Sequence, residues 1–132
     1  IAGRLDADTT GLVLLTDDGS WTYKVITPDA QCSKVYRVQL RDEITTDAVR
    51  KLEQGLMLPG LDKPTLPAKV EILSTNQVLL TITQGKFHQV KRMFRAVGNR
   101  VKKVHREKIG QVSLDVELGA WRYLNDKEIK SF

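Results

Sequence analysis

The sequence holds few of the residues that cross-link a chain or bind a metal. A single cysteine, Cys32, stands among 132 residues, so no disulfide can close within the chain. That count fits a reducing, cytoplasmic setting. No run of eighteen apolar residues occurs, so there is no candidate membrane helix, and no basic-then-apolar leader suggests export. The only two histidines, His88 and His105, lie far apart with no cluster of cysteine or carboxylate ligands around them, so no metal site is expected. A glycine-rich phosphate loop, a G-x-S-x-G elbow and an H-E-x-x-H helix are all missing. These absences point away from nucleotide hydrolysis, α/β-hydrolase chemistry and zinc proteolysis, and no cofactor is expected.

What is present is charge, unevenly placed. The net charge is +5, with 21 basic against 16 acidic residues. Between Lys86 and Lys108 nine basic residues meet one acidic residue, Glu107, so that segment carries +8 and the remainder −3. A positive block on a slightly acidic chain is the footprint of a polyanionic partner. The length suits one domain with a real core, and a monomer is expected.

Periodicity sketches the fold. "GLVLLT" (11–16) is short, apolar and bounded by turn residues, and reads as a buried strand. Residues 20–27 form a short helix ended by Pro28. "KVYRVQL" (34–40) alternates, with Tyr36, Val38 and Leu40 on one face. "TTDAVRKLEQG" (45–55) opens on a threonine cap and closes on a glycine, and reads as a helix. Residues 58–67 hold three prolines and read as loop. "AKVEIL" (68–73) and "QVLLTIT" (77–83) read as a hairpin. In "FHQVKRMFRAVG" (87–98), Val90, Met93, Phe94 and Val97 make an apolar stripe, and His88, Lys91, Arg92 and Arg95 a basic one. "RVKKVHREKIG" is a further strand and "NDKEIKSF" a last short helix. Strands joined partly as hairpins, with helices between, predict an α+β fold with a mixed, mainly antiparallel sheet flanked by helices.

"DADTTGLVLLTD" (6–17) approximates a calcium-loop pattern, with Asp6, Asp8, Thr10 and Asp17 at the ligand positions and Gly11 at the turn. An EF-hand loop needs a helix on each side and a long carboxylate at its last position. Only five residues precede Asp6, the following run is β-like, and the last carboxylate is the short Asp17. The calcium reading is therefore disfavoured.

Taken from Gly3, the stretch is "GRLDADTTGLVLLTDDG". It resembles the signature of the pseudouridine synthases that modify ribosomal RNA, in the branch typified by the small-subunit (16S) enzyme. "CSKVYRVQL", "KPTLPAKVEIL" with "VLLTITQGKFHQVKRMFRAVGN", and "VHREKIGQVSLD" resemble that family's later elements in the same order. The resemblance runs over essentially the whole chain. It implies the catalytic-domain fold of that family, lacking its first part and the family's N-terminal S4-like RNA-binding domain. It also implies isomerisation of a single uridine of 16S ribosomal RNA in a pre-ribosomal particle. The alternatives are a large-subunit 23S enzyme or a non-catalytic RNA-binding, ribosome-assembly module.

Roles follow from the same resemblance. Asp6 in "RLD" is the reactive carboxylate, whether it acts as nucleophile or as base. Lys91, with Arg92 as the alternative, is the fixed cation that keeps Asp6 ionised. Tyr36 lies against the target uracil. Arg4 helps hold the flipped nucleotide. His88 and Gln89 orient the motif by hydrogen bonds. The remaining expected RNA contacts are Lys86, Arg92, Arg95, Arg100, Lys102, Lys103 and Arg106, which would track phosphates. Asp8, Thr9 and Thr10 shape the loop, and Asp17 and Asp18 form turns.

Overall fold

The alternating segment at Lys34–Leu40 becomes the middle strand of the sheet. A computed structural model describes residues 1–27, 32–83 and 88–132. In chain order the elements are β1 (Thr10–Gly11), α1 (Gly19–Ile26), β2 (Lys34–Leu40), α2 (Thr46–Gln54), β3 (Lys69–Ser74), β4 (Gln77–Ile82), α3 (Gln89–Ala96), β5 (Val101–Ile109), β6 (Val112–Ser113) and α4 (Asp126–Lys130). The sheet runs β1-β5-β2-β4-β3, with β6 added to β5. β1 pairs parallel to β5, and the other pairings are antiparallel. The fold is α+β with a mixed, mostly antiparallel sheet, as the sequence predicts.

Two clusters of buried side chains hold it together. The larger joins Val38 and Leu40 of β2 and Val78 and Leu80 of β4 to Leu52 of α2 and Met93 and Phe94 of α3. Burying side chains of this size is worth about 2 kcal/mol each. Helix α2 starts where the Thr45 hydroxyl accepts the Ala48 N–H at 3.0 Å. It stops at Gly55, whose φ of 99° suits a residue without a Cβ. The smaller cluster gathers Ala2, Leu14, Val25, Ile109 and Val112 near α1 and the C-terminus. Asp18 caps α1, accepting the N–H groups of Ser20 and Trp21. Asn125 and Glu128 form a reciprocal capping box on α4.

Residues 11–16 are not the buried strand that their apolar character predicts. Only Thr10 and Gly11 lie in a strand, and Leu14 joins Ala2 in an isolated bridge. Val13 and Leu15 are exposed. The cause is the side chain of Arg106, which occupies the Leu12 carbonyl that a continuing ladder would use. The run leaves the sheet after one parallel step.

That step depends on Gly11. Its φ is 120°, and a Cβ there would lie 2.2 Å from the Arg106 carbonyl oxygen and 2.5 Å from the Arg106 nitrogen. Gly11→Ala is expected to push β1 off β5, and with the positive-φ penalty to cost about 2 kcal/mol. Denaturant unfolding of the variant checks this. An unchanged midpoint would show that the β1–β5 contact is dispensable.

Candidate active site

A loop, two strands and a helix converge on one cavity of about 510 Å³. The loop between Ala2 and β1 brings Gly3, Arg4 and Asp6. Strands β2 and β5 bring Lys34, Tyr36, Val104 and Arg106. Helix α3 brings Gln89, Val90 and Lys91. A larger cleft of about 740 Å³ lies elsewhere, walled by residues 10–15 and 112–124, and contains neither Asp6 nor Tyr36.

The loop that presents Asp6 is fastened from below. The Arg106 guanidinium donates to the Leu12 carbonyl at 2.9 and 2.8 Å and to the Gly3 carbonyl at 2.9 Å, with a longer contact of 3.4 Å to Arg4. Above it, the Thr9 N–H closes a turn onto the Asp6 carbonyl at 2.9 Å. Both ends of the motif are thus set by backbone groups, and the Asp6 side chain is left to face the cavity, about one third exposed (37%).

Arg106 was expected on the phosphate-tracking surface, and the structure corrects this. The residue is 2% exposed, and all its recorded bonds go to backbone carbonyls of the motif loop. On β5 it sits opposite Tyr36, on the strand pair that floors the cavity. A guanidinium there carries too few water-facing atoms to meet a phosphate chain, and four of its five N–H donors are already used.

The cation beside Asp6 also differs from expectation. The ammonium of Lys91 donates to the carboxylate of Asp8, not of Asp6. That bond holds the Asp8 carboxyl below the ordinary carboxylate range, with the charges of Lys91 and His88 adding to it. Asp8 is thereby an ion-pair partner tying the loop to α3, beyond the turn-shaping part expected of it. The basic group within ion-pair distance of Asp6 is the imidazole of His88, at 3.8 Å from Oδ1. Arg92, the alternative to Lys91, donates to the Pro59 carbonyl.

His88 takes this position through an unusual backbone. Among the described residues it is the only one besides glycine with positive φ, at 47° and ψ 35°. It occupies the N-cap position of α3, yet its side chain makes no cap hydrogen bond. The left-handed turn costs about 1 kcal/mol or more for a residue with a Cβ. It aims the ring at the motif loop instead of along the helix. Gln89 follows, 3% exposed, its amide donating to the Met93 sulfur at 3.5 Å while it also lines the cavity.

The remaining predicted contacts divide. Arg4 is exposed and lines the cavity. Arg95, Arg100, Lys102 and Lys103 are exposed. Lys103 pairs with Gln39, so it projects from the sheet face opposite Val38 and Val104, and Lys102 falls in the irregularity beside it. The basic block is therefore not one continuous face. Lys86 lies outside the described residues. Among the described residues, no group of three histidine, cysteine or carboxylate side chains is placed to hold a metal ion, and Asp6 and Asp8 turn to different partners.

Lys34 is the cavity residue that sequence reasoning passes over. It is 4% exposed, and its ammonium has no hydrogen-bond partner among the described residues. The signal was available. Lys34 stands two residues before Tyr36 on an alternating strand, which puts it on the same face.

With this geometry in place, comparison with known proteins gives one answer. A family model described as RNA pseudouridylate synthase matches residues 1–96. The chain is 52% identical over 98% of its length to "Ribosomal small subunit pseudouridine synthase A" of Vibrio cholerae, covering 57% of that protein. It is 47% identical, with the same coverage of both chains, to the Escherichia coli protein of that name. A solved structure titled "Crystal structure of pseudouridylate synthase" superposes with a TM-score of 0.95 at 50% identity, over 98% of this chain and 57% of the other. The chain thus spans a little over half the length of the curated relatives it matches. Its motifs and fold agree with these matches, and the chain belongs to the RNA pseudouridylate synthase family.

Proposed function

We propose that this chain carries the reactive cavity of an enzyme that isomerises one uridine of small-subunit ribosomal RNA to pseudouridine. The observation that carries the reading is the meeting of Asp6 and Tyr36 on a single cavity of about 510 Å³, a volume suited to one flipped nucleotide. Relatives about half identical to it are named as small-subunit synthases, which favours small-subunit over large-subunit RNA.

The chemistry needs no oxidant and no energy source. The bond from ribose C1′ to uracil N1 breaks, the uracil turns, C5 bonds to C1′, and the proton on C5 is lost while N1 gains one. Asp6 stands where a carboxylate meets an electron-poor sugar carbon, as nucleophile or as base. Tyr36 offers a ring face to the base. Lys91, fixed by Asp8, places positive charge on the α3 side of the loop, and the His88 imidazole lies 3.8 Å from the Asp6 carboxylate. Arg4 and the exposed cations Arg95, Arg100 and Lys102 contact the RNA backbone, giving affinity that falls with salt.

The test is incubation of the full-length protein with unmodified small-subunit RNA, followed by mapping of modified positions. One new pseudouridine in that RNA is expected. A product only in large-subunit RNA would overturn the substrate assignment. Salt-sensitive binding without any product would leave an RNA-binding module.

A further inference from the structure

The cavity floor contains a charge that no described residue pairs or hydrogen-bonds. Lys34 is 4% exposed, and its Nζ is buried without a hydrogen-bond partner among the described residues. Among the described residues no carboxylate acts on it. The neighbours that influence it are the Cys32 thiol and the Arg106 guanidinium. Burial pushes the ammonium below its ordinary value, the thiol opposes this, and Arg106 adds to it. Burial likewise raises the Cys32 thiol, so it is not a standing counter-ion. An unpaired buried ammonium is costly to a fold. A residue that costs stability and lines a reactive cavity is best explained by what enters that cavity.

We infer that Lys34 is a substrate-binding residue whose ammonium receives a carbonyl oxygen of the uracil base and stabilises the anion formed when the glycosidic bond breaks. This rests on the proposed isomerisation. When C1′–N1 cleaves, the bonding electron pair leaves with N1 and its negative charge spreads onto O2 and O4 of the uracil. A fixed cation at one of those oxygens is stronger in the transition state than in the ground state, the condition for raising the rate. Once C5 has bonded to C1′ the ring is neutral again, and after the C5 proton has left and N1 has gained one the contact is an ordinary hydrogen bond.

Position argues for the base over a phosphate. An RNA backbone enters and leaves the cavity, so its phosphates stay at the rim, where Arg4 is exposed. Lys34 lies on the floor beside Arg106, which is itself 2% exposed. Tyr36 is one step along the same strand face, about 7 Å away. A uracil stacked on the Tyr36 ring would therefore present an edge to Lys34.

The test uses the full-length protein and Lys34→Met, which keeps an unbranched side chain one atom shorter and removes the charge and donors. The single-turnover rate of pseudouridine formation is expected to fall at least about 100-fold. The RNA dissociation constant should move by less than about threefold, because the rim contacts remain. The melting temperature should hold or rise, since a partnerless charge has been removed. A rate within about threefold of the parent, or a melting temperature that drops with the rate, would overturn the inference. A second arm measures thermal stabilisation by uridine monophosphate and by ribose 5-phosphate. Stabilisation by the nucleotide beyond the sugar phosphate, lost in Lys34→Met, supports a base contact. Equal effects of the two ligands, lost together, would assign Lys34 to phosphate and overturn it. If the parent forms no pseudouridine, the isomerase reading fails, and this binding arm still decides whether Lys34 meets the base.

Discussion

Asp6→Asn should abolish product formation while leaving the protein folded and able to bind RNA. Asparagine has the same shape as aspartate but no negative charge, and it neither attacks a sugar carbon nor takes a proton. Losing a reacting carboxylate removes a factor of about 10⁴ or more from turnover, in line with the loss of other nucleophiles and bases. The fold should scarcely notice. The motif loop is fixed through backbone groups: the Arg106 bonds to Gly3 and Leu12, the Thr9 N–H on the Asp6 carbonyl, and the Gly11 step against β5. The Asp6 carboxylate contributes one long contact to His88 at 3.8 Å, with both side chains substantially exposed. An exposed pair of that kind is worth well under about 1 kcal/mol. The measurement is a single-turnover assay with nucleoside analysis of the product, beside a filter-binding titration and a melt. Activity within about tenfold of the parent would remove Asp6 as the reacting group, because no amide substitutes for a carboxylate in either role.

Asp6 and Tyr36, singled out by the family resemblance, both line the cavity, and each sits in a local pattern. Asp6 closes a Gly-Arg-Leu-Asp string, and Tyr36 belongs to a strand whose period of two is plain. Helix α2 could be read from its threonine start and glycine end, and the apolar stripe of α3 from Met93 and Phe94, both fully buried. What could not be read was the destination of charge. Sequence treats arginine and lysine as surface residues, since they are rarely buried unless paired. The partners of Arg106 are backbone carbonyls about a hundred positions away, and carbonyls leave no mark in a sequence. Lys91 shows the same limit on a smaller scale. Helical spacing put it on the polar face of α3, but only the fold of the loop decides between Asp6 and Asp8. The apolar run at 11–16 misled for a related reason. Its strand character was interrupted by a side chain from another strand, not by anything within the run.

Arg106→Met separates the two readings of that arginine. A phosphate-tracking arginine would, on removal, weaken RNA binding and shallow its salt dependence by about one ion, with stability unchanged. The buried geometry predicts the opposite pattern. Methionine fills most of the space but donates nothing, so the carbonyls of Gly3 and Leu12 lose charge-assisted bonds of 2.8 to 2.9 Å. Each such bond contributes roughly 1.5 to 3 kcal/mol, and a buried acceptor left without a donor carries its own penalty. Part of this is offset, because removing the guanidinium also removes a buried cation that stands near Lys34. The net expectation is a loss of about 3 kcal/mol, or a melting temperature roughly 10 °C lower. The Gly3–Leu12 loop would then be released from β5, and Asp6 would lose its fixed place in the cavity. Turnover should fall further than stability alone explains, since a displacement of about 1 Å at a reacting group costs on the order of 100-fold. The salt slope of RNA binding should stay unchanged. A melt within about 2 °C of the parent, together with a shallower salt slope, would return Arg106 to the RNA surface.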